Sequence, residues 1–282
     1  MLWSLWLWDV LHAVHSNHSL SFSSDEVLTT MPSSTLSFPD VYRHLLRESS
    51  TNSPSLLSAT ISDSRESAVI LLLAVLSDCI TIRRSLGSAA NIVSSTHSTA
   101  YSHDPFVPFS AHDELERMQN RLSKALERWQ DNFRASVGSE VLTLFHYCEL
   151  YLSCPALSSL SQLAQYDFSH SSPSQTHVAY ALAQNEISIS DRALDRSWAL
   201  LDVAAKCPKS DQALCAAWMP IVVFHAALVI WAKISLSPRG HDRDRDRHGS
   251  IRVLLAFKLE LEAMPWPCCR KMATTLQKLM SS

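Results

Sequence analysis

The stretch ALCAAWMPIVVFHAALVIWA, residues 213–232, holds no charge between Asp211 and Lys233. That length is near the ~20 apolar residues a membrane-spanning helix needs. Pro220 and His225 interrupt it, Cys215 and several alanines dilute it, and no second apolar run is long enough to pair with it as another span. The residues predict instead a buried helix starting near Pro220, where a missing N–H is tolerated in the first turn. Ile221, Phe224, Leu228 and Trp231 fall at steps of three and four, and Val222, Val223, Val229 and Ile230 cover the other sides. A helix apolar all round must be enclosed by protein or by lipid. Charged amphipathic segments elsewhere in the chain can do the enclosing. The expected fold is all-α: an irregular multi-helix bundle around a central apolar helix, one body over residues 1–282, without a membrane span.

Composition narrows the function classes. The net charge of −3 exerts little pull on nucleic acid. The four glycines, Gly87, Gly138, Gly240 and Gly249, stand too far apart for a phosphate-cradling loop, and their scarcity counts against hairpin-rich β architecture. Seven cysteines, an odd number in or near apolar segments, suit a reduced intracellular protein with buried thiols. The opening MLWSLWLWDVL lacks a basic leader, so a secretory signal is not expected, and the chain reads as starting inside a helix, as a fragment would.

In chain order, residues 2–14 predict a helix with Trp3, Trp6, Val10 and Val14 on one stripe. The Trp3 and Trp6 stripe is expected to stand exposed and to seek a partner. His12, His15 and His18 follow at steps of three but lack the partners that make zinc motifs persuasive, so no metal site is assigned. Residues 40–48 predict a short helix capped by Asp40, and residues 65–84 a second apolar helix. Residues 110–133 are the clearest amphipathic helix, with Leu115, Met118, Leu122, Leu126, Trp129 and Phe133 on one face. Arg117, Arg121, Lys124 and Arg128 stand opposite, with acidic residues interleaved, and read as a solvated face. Further helices are expected over residues 140–154, 156–166, 185–206, 251–264 and 268–279. Segments 85–108, 167–176 and 238–249 read as flexible connections, the last containing RGHDRDRDRHG.

The chain contains no GxSxG elbow, HExxH, paired CxxC or DDxxD motif. Vicinal Cys268 and Cys269 point apart on a helix and do not ligate as CxxC does. No catalytic residue is assigned, and no cofactor is expected in this chain. A helical enzyme with a buried pocket between helices is the alternative, and it would bring at least two of His146, Glu149, His225 and Asp78 to one cavity wall. His225 reads first as a core histidine with its hydrogen bonds made.

Seven blocks carry a family likeness: LWSLWLWDVLHAVHS with MPSSTLSFPDVYRHLL, ILLLAVLSDCITIRRSL, LTLFHYCELYLSCPAL, ISISDRALDRSWALLDVAA, WMPIVVFHAALVIWAKI and LEAMPWPCCRKMATTLQKLM. In this order they resemble the fungal-specific transcription factor domain, the helical middle homology region of fungal zinc-finger and zinc-cluster regulators. The likeness covers most of the chain. It implies a nuclear regulator of RNA polymerase II transcription, not an enzyme, with this region acting through partners in the transcription machinery or through self-association. Zinc and DNA binding are family-implied, yet these residues hold no paired cysteines in a basic segment. DNA contact would then come only from a module outside this chain, so purified chain is expected not to bind duplex DNA with sequence preference.

Overall fold

The computed structural model describes residues 2–32, 34–47, 64–95, 111–164, 189–209, 215–236 and 243–281. They form α1 (Leu2–Ser16), a 3-10 turn (Ser24–Glu26), α2 (Phe38–Leu46), α3 (Arg65–Ser95), α4 (Ala111–Phe133), α5 (Ser139–Ser153), α6 (Leu157–Leu163), α7 (Asp191–Ala204), α8 (Met219–Leu236), α9 (Arg243–Glu262) and α10 (Cys268–Ser281). The fold is all-α, with no strand among the described residues beyond an isolated bridge between Thr30 and Ser37. No helix of the described residues is long and apolar enough to cross a membrane. The chain divides into two compact units, one of residues 1–14 and 18–137, the other of residues 15–17 and 138–282. Sequence patterning placed no boundary at residue 137.

In the first unit α3 packs on α4, α4 on α2, and the 3-10 turn on α3. The buried part of α3 runs from Ser67 to Ile80, and its polar members are Ser67, Ser77 and the half-buried Asp78. Trp129 of α4 is fully buried, and its indole N–H donates to the Ala68 carbonyl at 2.9 Å. A buried indole usually finds an acceptor for its N–H, and for Trp129 the first turn of α3 supplies one. Phe38 is the aromatic hub at the start of α2, with Trp6 edge-on at 5.5 Å, Trp3 at 5.4 Å and Tyr42 stacked at 5.7 Å.

That hub overturns one expectation. Trp6 is 1% exposed and Trp3 half-buried, so the tryptophan stripe is inside. The exposed apolar side chains of α1 are its neighbours Leu2, Leu5 and Trp8. The expected stripe was real, but α2 covers it.

In the second unit α8 is the axis. It packs against α5, α6, α7, α9 and α10. Every residue from Met219 to Ile230 is buried, whichever side of the helix it occupies. The predicted central apolar helix is therefore enclosed on all sides, as a helix without a polar face must be. Met219 precedes Pro220, so the proline sits inside the first turn, where it removes no helical hydrogen bond.

Several boundaries differ from the sequence expectation. Residues 85–95 were expected in an irregular connection and are helical, because an established helix propagates through Ala89 and Ala90 at little cost once nucleated. Residues 243–249, read as part of a flexible loop, form the first turns of α9, since arginine is a good helix former and the apolar run beyond Ile251 anchors the helix. The rest of segments 85–108 and 238–249, and all of 167–176, lie outside the described residues. α2 begins at Phe38 with Ser37 at the cap position, and Asp40 sits in its first turn paired with Arg43 at 2.8 Å. α7 begins at Asp191, fixed by Ser190, whose hydroxyl accepts from the Ala193 N–H.

Leu228 is fully buried on α8, whereas Leu255 on α9 is 41% exposed. Leu228→Ala is expected to lower unfolding free energy by about 2–5 kcal/mol in chemical denaturation, and Leu255→Ala by about 0.5 kcal/mol or less. Equal effects would mean that α8 is not enclosed.

Candidate functional site

The four ionisable residues singled out by the sequence fall into three places. Asp78 belongs to the first unit, and His146, Glu149 and His225 to the second. Asp78 leaves the apolar face of α3 to accept hydrogen bonds from the Ser24 hydroxyl at 2.5 Å and the Tyr42 hydroxyl at 2.7 Å. Burial pushes its carboxyl above the usual value, while the two hydroxyls pull the other way. Tyr42 is raised well above 10.0 by its own burial, then by the neighbouring Asp78. Its phenol is therefore a donor throughout the physiological range. This cluster ties the 3-10 turn and α2 to α3.

His225 is the polar residue at the middle of α8, and it is 1% exposed. Its Nδ1 lies 2.8 Å from the Tyr147 hydroxyl of α5 and its Nε2 3.1 Å from the Ser161 hydroxyl of α6. A neutral imidazole has one donor and one acceptor nitrogen, and a hydroxyl can play either part, so both tautomers satisfy all three groups. A charged ring would have two N–H donors in a site stripped of water. Burial accordingly lowers the His225 pKa from 6.5 to about 3. It is a core histidine that pins three helices together, and no proton leaves it near neutral pH.

His146 and Glu149 do meet. Nδ1 of His146 is 3.1 Å from one carboxylate oxygen of Glu149, and Arg196 of α7 holds the other at 2.9 Å. The two are three residues apart on α5, so their contact follows from helix geometry. Arg196, which crosses from α7, went unremarked in the sequence because its partner is far along the chain. The Glu149 carboxylate, 8% exposed, is thus committed on both oxygens.

A cavity of about 540 Å³ opens in the first unit between the end of α2 and α4. Arg47, Arg117, Arg121, Lys124 and Arg128 line it, along with Leu46 and Met118. None of Asp78, His146, Glu149 and His225 does. The arginines of α4, read as a solvated face, are organised here. Arg128 donates to the Leu45 carbonyl at 2.8 Å and Arg121 to the Leu46 carbonyl at 3.5 Å, both at the C-terminal end of α2 where cations are favoured. Steps of four, three and four put Arg117, Arg121, Lys124 and Arg128 on one side of the helix. That stripe was the available signal; the missing piece was that α2 ends beside it.

His12 and His18 stack with ring centres 5.8 Å apart. Among the described residues no group of three histidine, cysteine or carboxylate side chains is placed to hold a metal. All seven cysteines are free thiols, and all but the half-buried Cys268 are buried. Cys79 on α3 is raised to about 12 by burial. The vicinal Cys268 and Cys269, expected to point apart, instead meet at the start of α10, and the hydrogen bond from the Cys269 thiol lowers Cys268 to about 7. Comparison with protein-family models, with curated proteins and with solved structures finds no match to this chain.

The histidine cluster makes a pH prediction with a definite sign. The folded pKa of His225 lies below its unfolded value, so the unfolded chain takes up the proton first on acidification. The contribution of His225 is fully present above pH 6.5 and is lost as pH falls towards 3. Asp78, raised in the fold, acts with the opposite sign and cannot produce this loss. His225→Gln should lower stability by about 1–3 kcal/mol at pH 7 yet flatten the decline between pH 6.5 and 4 in denaturant titrations. An unchanged slope in the variant would contradict the assignment.

Proposed function

We propose that this chain is the regulatory, protein-contacting region of a nuclear transcription regulator similar to the fungal-specific transcription factor domain, working by contact and not by catalysis. The observation that carries the reading is the ordered series of helical blocks, from LWSLWLWDVLHAVHS to LEAMPWPCCRKMATTLQKLM, which spans most of the sequence. An all-α body is what that resemblance implies. Two further features support a role in contacts. Polar groups in the two interiors, Asp78 and His225, are engaged by hydroxyls of their own units. Among the described residues, the concave surface lined by five cations carries no nucleophile or carboxylate. The zinc and DNA binding that the family implies would reside in a module beyond these 282 residues. Partners would be proteins of the RNA polymerase II machinery or a second copy of the chain.

The rival reading, a helical enzyme, has one observation in its favour, the approach of His146 to Glu149. Arg196 occupies the carboxylate's second oxygen and so suits a structural ion pair better than an acid and base.

Fusing the full chain to a heterologous DNA-binding domain above a reporter promoter in fungal cells tests the proposal. Reporter output is expected to rise or fall at least about threefold relative to the tether alone, with the fusion in the nucleus. Output equal to that of the tether, at equal protein abundance, would contradict it.

A further inference from the structure

The cationic groove between α2 and α4 has a shape and a chemistry that select among ligands. Arg117, Arg121, Lys124 and Arg128 extend along α4 over about 16 Å, at 1.5 Å per residue. Arg47, just past the end of α2, lines the same cavity. Three of the arginines are already oriented: Arg117 by Glu114 at 2.8 Å, and Arg121 and Arg128 by the terminal carbonyls of α2. A guanidinium carries five N–H donors in a planar fork, so each such bond fixes direction and leaves donors for a carboxylate. Among the described residues no acidic side chain lines the cavity, while Leu46 and Met118, both half-buried, give its wall an apolar strip.

We propose that this groove binds an acidic peptide segment of a partner protein, a run of Asp and Glu that also carries an apolar side chain. About five residues of extended chain match the 16 Å row at ~3.3 Å each. Carboxylates meet arginine forks in the bidentate geometry that makes such pairs strong, and an apolar side chain of the peptide covers Leu46 and Met118. A nucleic-acid backbone answers the cations and leaves that apolar strip uncovered. A single phosphate or pyrophosphate reaches only part of the row. The inference deepens the protein-contact reading by naming the partner's chemistry, and it is tested without any transcriptional readout, so either can fail alone.

The probe is a fluorescein-labelled decapeptide of Asp and Glu with two leucines, titrated with the full chain by anisotropy at low and physiological salt. Saturable binding is expected, weaker in salt and weaker when the leucines become serines. Arg117→Glu combined with Lys124→Glu should weaken it by at least about tenfold, Arg117→Lys much less, and Arg134→Glu, exposed and outside the groove, hardly at all. All three sites are exposed, and circular dichroism of each variant reports its fold. Absence of saturable binding, equal affinity in the charge-reversed variant, or tighter binding of duplex DNA or pyrophosphate would each overturn the proposal.

Discussion

A helix without a polar face cannot stand in water, and α8 has none. From Met219 to Ile230 each residue is buried, so five other helices must be placed around it before the second unit exists. The amphipathic helices of that unit have one apolar side each, and α8 is where those sides point. Its only basic residue in the last turn, Lys233, emerges where the enclosure ends, donating to the Ile189 carbonyl at 3.1 Å and pairing with Asp191 at 3.2 Å. The change from apolar to charged at that position thus marks the edge of the core.

Each unit repeats one device at its apolar axis. α3 carries Asp78, which meets a serine and a tyrosine; α8 carries His225, which also meets a serine and a tyrosine. Apolar packing alone permits a helix to rotate or slide by a turn, whereas a buried polar group tolerates only the arrangement in which its partners are present. The acid and the imidazole therefore set the register of their helices, and the price is a pKa displaced by burial in each case. Among the described residues, the side-chain hydrogen bonds of both groups end within their own units, on Ser24 and Tyr42 for Asp78 and on Tyr147 and Ser161 for His225.

The fold class was legible because its signal is periodic and local. The uncharged run of residues 213–232, the three-and-four spacing of Leu122, Leu126 and Trp129, and the lack of glycine turns all act over short distances in the chain. Helix ends were less legible. Asp40 looked like a cap, yet Ser37 with Pro39 starts α2 one turn earlier, and the polar residues 243–249 joined α9 because the apolar run that follows holds them. The polar clusters were hidden for a different reason. Tyr147 lies 78 residues from His225 and Ser161 lies 64 away, and nothing in local spacing marks a serine as the partner of a distant ring. His225 as a satisfied core residue was readable, its partners were not. The cations of α4 were visible as a stripe, but only the end of α2 beside them makes a groove.

Hydrogen–deuterium exchange on the full chain, resolved by peptide mass spectrometry, tests the enclosure of α8 most directly. Amides of residues 221–230 are predicted to be the slowest of the second unit, exchanging only through its global opening. Exchange there as fast as in the largely exposed last turn of α10, residues 277–281, would contradict the central place given to this helix.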